Sequence, residues 1–465
     1  MTAELHWWPA SDLSQAFRRR ELSPVDVVRH LSERINRLNP TLNAFISFDE
    51  QGALDSARQA ERALLSSQEV GPLHGVPVAI KDVIDVAGMR TTCHSRILID
   101  NMAREDSEVV RRLRRAGAVV LGKLSTHEFA TGGPSFDLPF PPARNPWNTD
   151  HHPGGSSSGA GAGLAAGLFP LAIGTDTGGS VRHPASACAA VGLKPTYGRV
   201  SLRGVFPLSY SLDHVGPLAR TVGDCALLLD AIAGHDPSDP TSVEHDCKGS
   251  DADLQRGIRG LRIGFIRHFH RNDKVAHPEV SAALEKAADL LAAEGAEVIE
   301  MRLSPLQVYS AVNSLILRSE AWSIHAPWLR QRPGDYGRLA RQRLMSGAFI
   351  SAADYIAAQR FRSQLIHELE GVFQGADVLL AASSMDPPCR IDDTQEISRT
   401  YRREAREPFN VTGHPALAMP SGALSSDGLP LSLQLVGRYF DERTIFQVAA
   451  AFERVASTKD LRPRL

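Results

Sequence analysis

The chain has 465 residues, 43% of them hydrophobic and 22% charged, with a formal net charge of -2. That is ordinary for a globular protein with a large core. The balanced charge leaves no broad basic field for nucleic acid, and no apolar run approaches the roughly 18 residues of a membrane span.

Residues 1–20 lack the basic-then-apolar order of a signal peptide. The five cysteines (Cys93, Cys188, Cys225, Cys247, Cys389) are odd in number, scattered and without a CxxC pair. The expectation is a reduced, cytoplasmic protein without a disulfide framework, metal site or cofactor.

Residues 10–65 read as helical, with Ser11 and Ser23 as N-caps and Pro24 at a first helical position. The run 76–80 is short, apolar and β-branched, so it reads as a buried strand, and Lys81 follows it directly. Residues 107–116 read as a helix and 118–121 as a strand. Gly117 to Lys123 begins like a phosphate loop, but Leu124 stands where a magnesium-binding hydroxyl belongs, which argues against a nucleotide. Residues 131–152 read as loop. The segment GAGAGLAAG suits a helix of small residues, and 168–173 a buried strand leading into GTDTGGS. Gly161, Gly163 and Ala166 fit a dinucleotide fingerprint only loosely, because GGSSS and not a strand precedes them.

Downstream, 221–233 reads as a helix with Thr221 and Asp224 as a capping box. Further strands are expected at 261–266, 298–301, 378–382, 416–419 and 431–436. Helices are expected at 278–294, over most of 305–373, and from Asp441 to about 456. This alternation predicts an α/β fold, a large mixed, twisted sheet covered by helices on both sides. One domain over 1–465 is the simplest division. It has a helical N-terminal region to about 70, a catalytic core at about 71–235 and 405–465, and a mainly helical substrate-side region at about 240–400.

The chemistry concentrates in 153–199, where GGSSSG and GTDTGGS flank an apolar run. Glycine-rich backbone can aim several N–H groups at one point, and a serine becomes a nucleophile when a base lies beside it. His127, His183 and His414 lie in or near loops, but none falls in a hydrolase His motif. Lys81 is the alternative base, since burial disfavours the charged form of lysine. Each feature alone has a plainer reading: a flexible linker, a strand-to-loop turn, a solvated lysine.

Together, PGGSSSG, GTDTGGSVRHPA and GLKPTYGRVS resemble the amidase signature family, and Lys81 sits in HGVPVAIKDVIDVAG, similar to that family's lysine motif. ARNPWN, LDHVGPLARTVGD, PFNVTGHPALAMPSG and LPLSLQLVGRYFDE extend the resemblance over about 10–455. It implies a Ser-Ser-Lys triad: Ser180 as nucleophile, Ser156 as relay after a cis peptide bond, and Lys81 as base. Ser157 is the confusable neighbour of Ser156. The backbone N–H groups of Thr177, Gly178, Gly179 and Ser180 would form the oxyanion hole, and Asp176 with Arg182 would brace the loop.

The resemblance implies hydrolysis of an amide carbon–nitrogen bond, extending to esters or carbamates, through an acyl-enzyme. It also suggests a homodimer, on which the residues themselves are silent. A free-standing amidase is preferred, because KDVIDVAG looks like those enzymes and 401–406 (YRREAR) is basic where an acid should grip glutamine's amino group. The alternatives are the A subunit of a glutamine-dependent tRNA amidotransferase and an inactive family member acting as a binding module. Trp322, Trp328, Tyr336 and nearby methionines would bias the pocket towards an aryl or hydrophobic acyl group.

Overall fold

The computed structural model describes residues 4–66, 70–245, 249–402 and 404–465; Cys247 lies outside them. Among these residues the strands are β1 (Phe45–Phe48), β2 (Pro77–Lys81), β3 (Val119–Leu124), β4 (Leu171–Asp176), β5 (Val191–Lys194), β6 (His214–Ala219), β7 (Arg262–Phe265), β8 (Glu297–Glu300), β9 (Val378–Ala381), β10 (Ala416–Leu424) and β11 (Pro430–Val436). They form one 11-stranded sheet in the order β1-β3-β2-β4-β6-β5-β10-β11-β9-β7-β8. β2 runs parallel to both β3 and β4, and β7 to β8 and β9; β4 to β6 and the pairings from β5 through β11 are antiparallel. The sheet is therefore mixed, as its alternating elements predicted.

The strands bury both faces, and their residues alternate between two cores as a pleat requires. Val78, Ile80, Val120, Leu171 and Ile173 belong to one core, while Ala79, Val119, Leu121 and Ala172 belong to the other. Helices Glu108–Arg115, Val222–Ile232, Pro278–Ala293 and Glu442–Ala456 cover the first face. Helices Pro24–Leu42, Glu50–Leu65, Ser158–Ala165 and Arg182–Cys188 cover the second. Among the described residues no helix is long and apolar enough to cross a membrane.

The helix Ser158–Ala165 explains its own composition. A Cβ on Gly159 would stand 2.2 Å from the Ala44 carbonyl oxygen, and one on Gly163 would stand 2.1 Å from the Phe169 ring. Only small residues let this helix lie close enough to the sheet to present its N-terminus beside β4.

Four local readings change. β1 interrupts the span 10–65. Ser23 caps Pro24–Leu42 by accepting from the Val25 N–H at 3.0 Å, but Ser11 lies inside the helix Ala10–Arg18. The N-terminal donors of that helix go instead to Asp224, whose carboxylate accepts from the N–H groups of Ala10 (2.9 Å) and Ser11 (3.0 Å). Thr221 accepts from the Asp224 N–H at 3.1 Å, so it caps its helix while Asp224 caps a different one.

The apolar run 168–173 is offset from the strand. β4 begins at Leu171 and continues through the first residues of GTDTGGS, because antiparallel β6 pairs Gly174 with Gly216, Thr175 with Val215 and Asp176 with His214. β6 was not legible: Gly216 and Pro217 argue against a central strand. Its pairing with β5 stops at Leu218, just before the proline. The 117–123 segment is strand β3, and Lys123 is buried in an ion pair with Asp82 at 3.0 Å, so it holds no phosphate cradle.

Candidate active site

Parallel strands β2 and β4 end side by side, and their carboxyl ends carry Lys81 and Thr175. Crevices at the carboxyl ends of parallel strands are where α/β sheets place their ligands. Lys81 is wholly buried. Its Nζ lies 2.7 Å from Ser156 Oγ, 2.7 Å from Thr175 Oγ1 and 3.5 Å from the Thr175 carbonyl oxygen. Burial pushes its pKa down to about 7, against the opposing pull of Asp176 and Asp213. A lysine with hydroxyl partners and no contacting carboxylate can give up its proton near neutral pH.

The Gly155–Ser156 peptide bond is cis. Ser157 points elsewhere: its Oγ donates to the Thr175 carbonyl (3.3 Å), and its N–H donates to the Ser180 carbonyl (3.2 Å). The adjacent serines thus divide, Ser156 to Lys81 and Ser157 to the backbone that carries Ser180.

In 176–180, four carbonyls are held by named donors. Asp176 O accepts from Asn410 Nδ2 at 3.1 Å and Thr177 O from Asn313 Nδ2 at 3.2 Å. Gly179 O accepts from the His183 N–H at 2.7 Å, and Ser180 O from the Ser157 N–H. A trans peptide is planar, with its C=O and N–H on opposite edges. Holding the first three carbonyls turns the N–H groups of Thr177, Gly178 and Ser180 the other way. Gly179, expected as a fourth oxyanion donor, is corrected: its N–H donates to Asp176 Oδ1 at 2.7 Å and is spent there. Gly179 must still be glycine. Its φ is +121°, and a Cβ would stand 2.5 Å from Arg406 Nε.

Asp176 and Arg182 form a buried pair at 3.0 Å. Asp176 also accepts from the Val181 N–H (3.1 Å) and Asn410 Nδ2 (2.8 Å). Burial alone would raise the Asp176 pKa; the Arg182 guanidinium and the hydrogen bonds outweigh it and hold the carboxyl well below the usual range. Arg182 continues to the Arg406 carbonyl (2.9 Å), Gln434 Oε1 (2.7 Å) and Asn410 Oδ1 (2.6 Å). The pair ties the loop to the C-terminal strands and does not face a substrate.

Ser156 and residues 177–180 open onto a cavity of about 500 Å³. His127 and His183 also line it. Burial holds both imidazoles well below their usual range, hence neutral. The far wall comes from the helix Leu306–Gln331 and from Lys274, Arg343, Arg402, Glu404, Arg406 and Glu407.

Trp322, Trp328 and Tyr336 do not line the cavity, which corrects the aromatic expectation. Trp328 stacks near Phe129 and Phe206, and the Tyr336 hydroxyl meets His325 Nδ1 at 2.9 Å. The wall is cationic instead. The guanidinium groups of Arg318, Arg343 and Arg402 have no hydrogen bond or ion pair among the described residues, whereas Arg406 reaches the Ser383 carbonyl (2.8 Å) and Glu404 (3.4 Å). Arg343 lines the cavity; burial, then Arg318 and Arg402, lower its pKa.

Sequence reading missed Thr175, Asn313, Asn410, Arg318 and Arg343, while Arg402 and Arg406 stand in the segment 401–406 already read as basic. Thr175 and Asn410 lie inside motifs already singled out, GTDTGGS and PFNVTGHP, and could have been found there. Asn313 carries no local signal.

This geometry meets independent matches. A family model described as Amidase covers residues 26–446. The chain is 37% identical over 486 aligned positions to the A subunit of the glutamyl-tRNA(Gln) amidotransferase from Roseiflexus sp. (strain RS-1), covering 99% of each. A solved bacterial aryl acylamidase of the amidase signature family superposes with a TM-score of 0.90 at 26% identity, over 99% of this chain and 100% of its own. A structure from a vestigial complex, described as revealing the origins of an s-triazine catabolic enzyme, gives a TM-score of 0.90 at 32% identity, over 96% of this chain and 98% of that one. A buried lysine beside a serine that follows a cis peptide bond, a glycine-rich loop at the mouth of a cavity and end-to-end matches of this kind have one common source: the chain belongs to the amidase signature family and is an amide-cleaving enzyme.

Proposed function

We propose that the chain hydrolyses an amide carbon–nitrogen bond through an acyl-enzyme on Ser180, with Ser156 as relay and Lys81 as base. The observation that carries this is the buried Lys81 amine, 2.7 Å from Ser156 Oγ with its pKa lowered to about 7. Neutral Lys81 takes the Ser156 proton as Ser156 takes the Ser180 proton, and Ser180 Oγ adds to the carbonyl carbon. The N–H groups of Thr177, Gly178 and Ser180 receive the oxyanion, donors worth about 3 to 4 kcal/mol each in such sites. The C–N bond breaks as the proton returns through the relay to the leaving nitrogen. Water then attacks the Ser180 ester by the same relay and releases the acid. Esters and carbamates would follow the same path. The guanidinium groups of Arg318, Arg343 and Arg402, which have no partner among the described residues, favour a small substrate with a carboxylate on the part that fills the cavity.

The test is labelling of Ser180 by a fluorophosphonate probe together with a hydrolysis screen of anionic and neutral amides. A folded protein that neither labels nor hydrolyses any of them is the inactive binding module, and the proposal falls.

A second reading is the A subunit of a glutamine-dependent amidotransferase. Near-complete alignment with a protein of that kind supports it better than the free-standing preference. The acid thought missing near the glutamine amino group has candidates as well, since Glu404 and Glu407 line the cavity. Glutamine-dependent amidation in a co-purified complex would establish this reading; hydrolysis by the isolated chain at full rate, without glutamine preference, would remove it.

A further inference from the structure

The helix Leu306–Gln331 presents one face to the cavity, through Gln307, Ser310, Ser314, Leu317, Arg318 and Ala321, at the three-and-four spacing of a helix. Asn313 lies on the same helix at the inner end of that lining and is buried at 3% exposure. Its Nδ2 donates to Thr177 O at 3.2 Å. The orientation is fixed by chemistry, because only the amide nitrogen can donate to a carbonyl. The Thr177 carbonyl belongs to the same peptide unit as the Gly178 N–H. We infer that Asn313 is a positioning residue for the oxyanion hole: by holding Thr177 O, it points the Gly178 N–H at the developing oxyanion.

The other anchors of this loop have additional duties. Asn410 also holds the Asp176 carboxylate, and His183 acts through its backbone. Among the described residues the Asn313 side chain makes this one hydrogen bond, and glycine at 178 offers no side chain to fix the peptide by packing; a Cβ there would meet nothing closer than Asn313 Oδ1 at 3.6 Å. The Thr177–Gly178 unit is therefore held from the substrate side of the molecule, by a helix that also carries Arg318. Substrate-wall residues and one oxyanion donor share a rigid support.

This inference rests on Ser180 being the nucleophile, and the experiment separates the two. The intact chain is measured as wild type, Ser180→Ala, Asn313→Leu and the isosteric Asn313→Asp, with kcat, KM, a pH–rate profile and the affinity of a boronic acid that forms a tetrahedral adduct. With Ser180→Ala inactive, Asn313→Leu should lose roughly 10- to 100-fold in kcat. KM should stay within about threefold, the pH midpoint should not move, and boronate affinity should weaken in step with kcat. Asn313→Asp, which keeps the shape but turns a carboxylate towards a carbonyl, should lose at least as much and serves if the leucine variant does not fold. An unchanged kcat in either folded variant, or a loss appearing in KM with boronate affinity intact, overturns the positioning role while leaving the nucleophile standing. Retained turnover in Ser180→Ala overturns both.

Discussion

The two walls of the cavity are built on opposite principles. On one side, β2, β4 and the loop to Ser180 supply a buried lysine, serines and backbone N–H groups, fixed by strand register, by hydrogen bonds within the loop and by the distant amides of Asn313 and Asn410. On the other, the helix Leu306–Gln331, Arg343 and residues 401–407 supply long charged side chains, and among the described residues the guanidinium groups of Arg318, Arg343 and Arg402 have no hydrogen bond or ion pair. The first wall is tied down by hydrogen bonds; the second carries charges free to meet a ligand. The proposed function puts chemistry on the rigid wall and selection on the charged one, and variants of each should then fail differently.

The largest effects should come from the first wall. Lys81→Ala and Ser180→Ala should each lose at least about four orders of magnitude in kcat while remaining folded by circular dichroism, because members of a catalytic relay act as a unit. Asp176→Asn leaves Arg182 buried without its counter-charge. A loss of about 3 to 5 kcal/mol in stability is expected, read by denaturant titration. A stable, folded variant would mean that the pair does not carry the loop.

Arg343→Gln tests the second wall. KM for an anionic amide should rise by roughly tenfold or more with kcat little changed, in line with the loss of one charge-assisted contact. An equal effect on a neutral amide would dissolve the distinction between the walls.

The pH profile is a smaller and continuous effect. Burial lowers Lys81 to about 7, so below that pH the amine is charged and cannot accept a proton. kcat/KM should climb as pH rises from 5 to 8, with its midpoint near 7, and a profile that falls over this range would exclude Lys81 as base. The smallest effect is Trp328→Phe, which should leave kcat/KM within about threefold, since this ring packs among Phe129 and Phe206 and not on the cavity.

The same contrast decides what the sequence made legible. Lys81, Ser156 and Ser180, which the structure brings together at one cavity, could be singled out because they sit in runs of glycine, serine and β-branched residues whose composition is itself a structural demand. Gly159 and Gly163 are small because a carbonyl and a ring stand where a Cβ would go. The strand alternation gave the mixed sheet for a similar reason. Asn313 was invisible because its partner is 136 residues away and nothing local marks an asparagine that reaches a distant carbonyl. Arg318 and Arg343 carried no local signal, because nothing in a helical segment marks which of its arginines will line a cavity. β6 stayed hidden because its Gly-Pro pair obeys local rules for a turn while its neighbours impose a strand, and Gly179 was credited with a free N–H that the Asp176 carboxylate had taken.

The Asp224 carboxylate, which receives the N–H groups of Ala10 and Ser11, has a practical consequence for trimming the protein. A fragment starting after residue 18 would lose those two donors and also lift Leu13 and Phe17 out of the main core. At about 1.5 to 3 kcal/mol for each fully buried large apolar side chain, that is a substantial share of the stability of an ordinary domain. The N-terminal helix is thus a brace on the helix Val222–Ile232, and shortening the chain from this end should be expected to yield insoluble or readily proteolysed product.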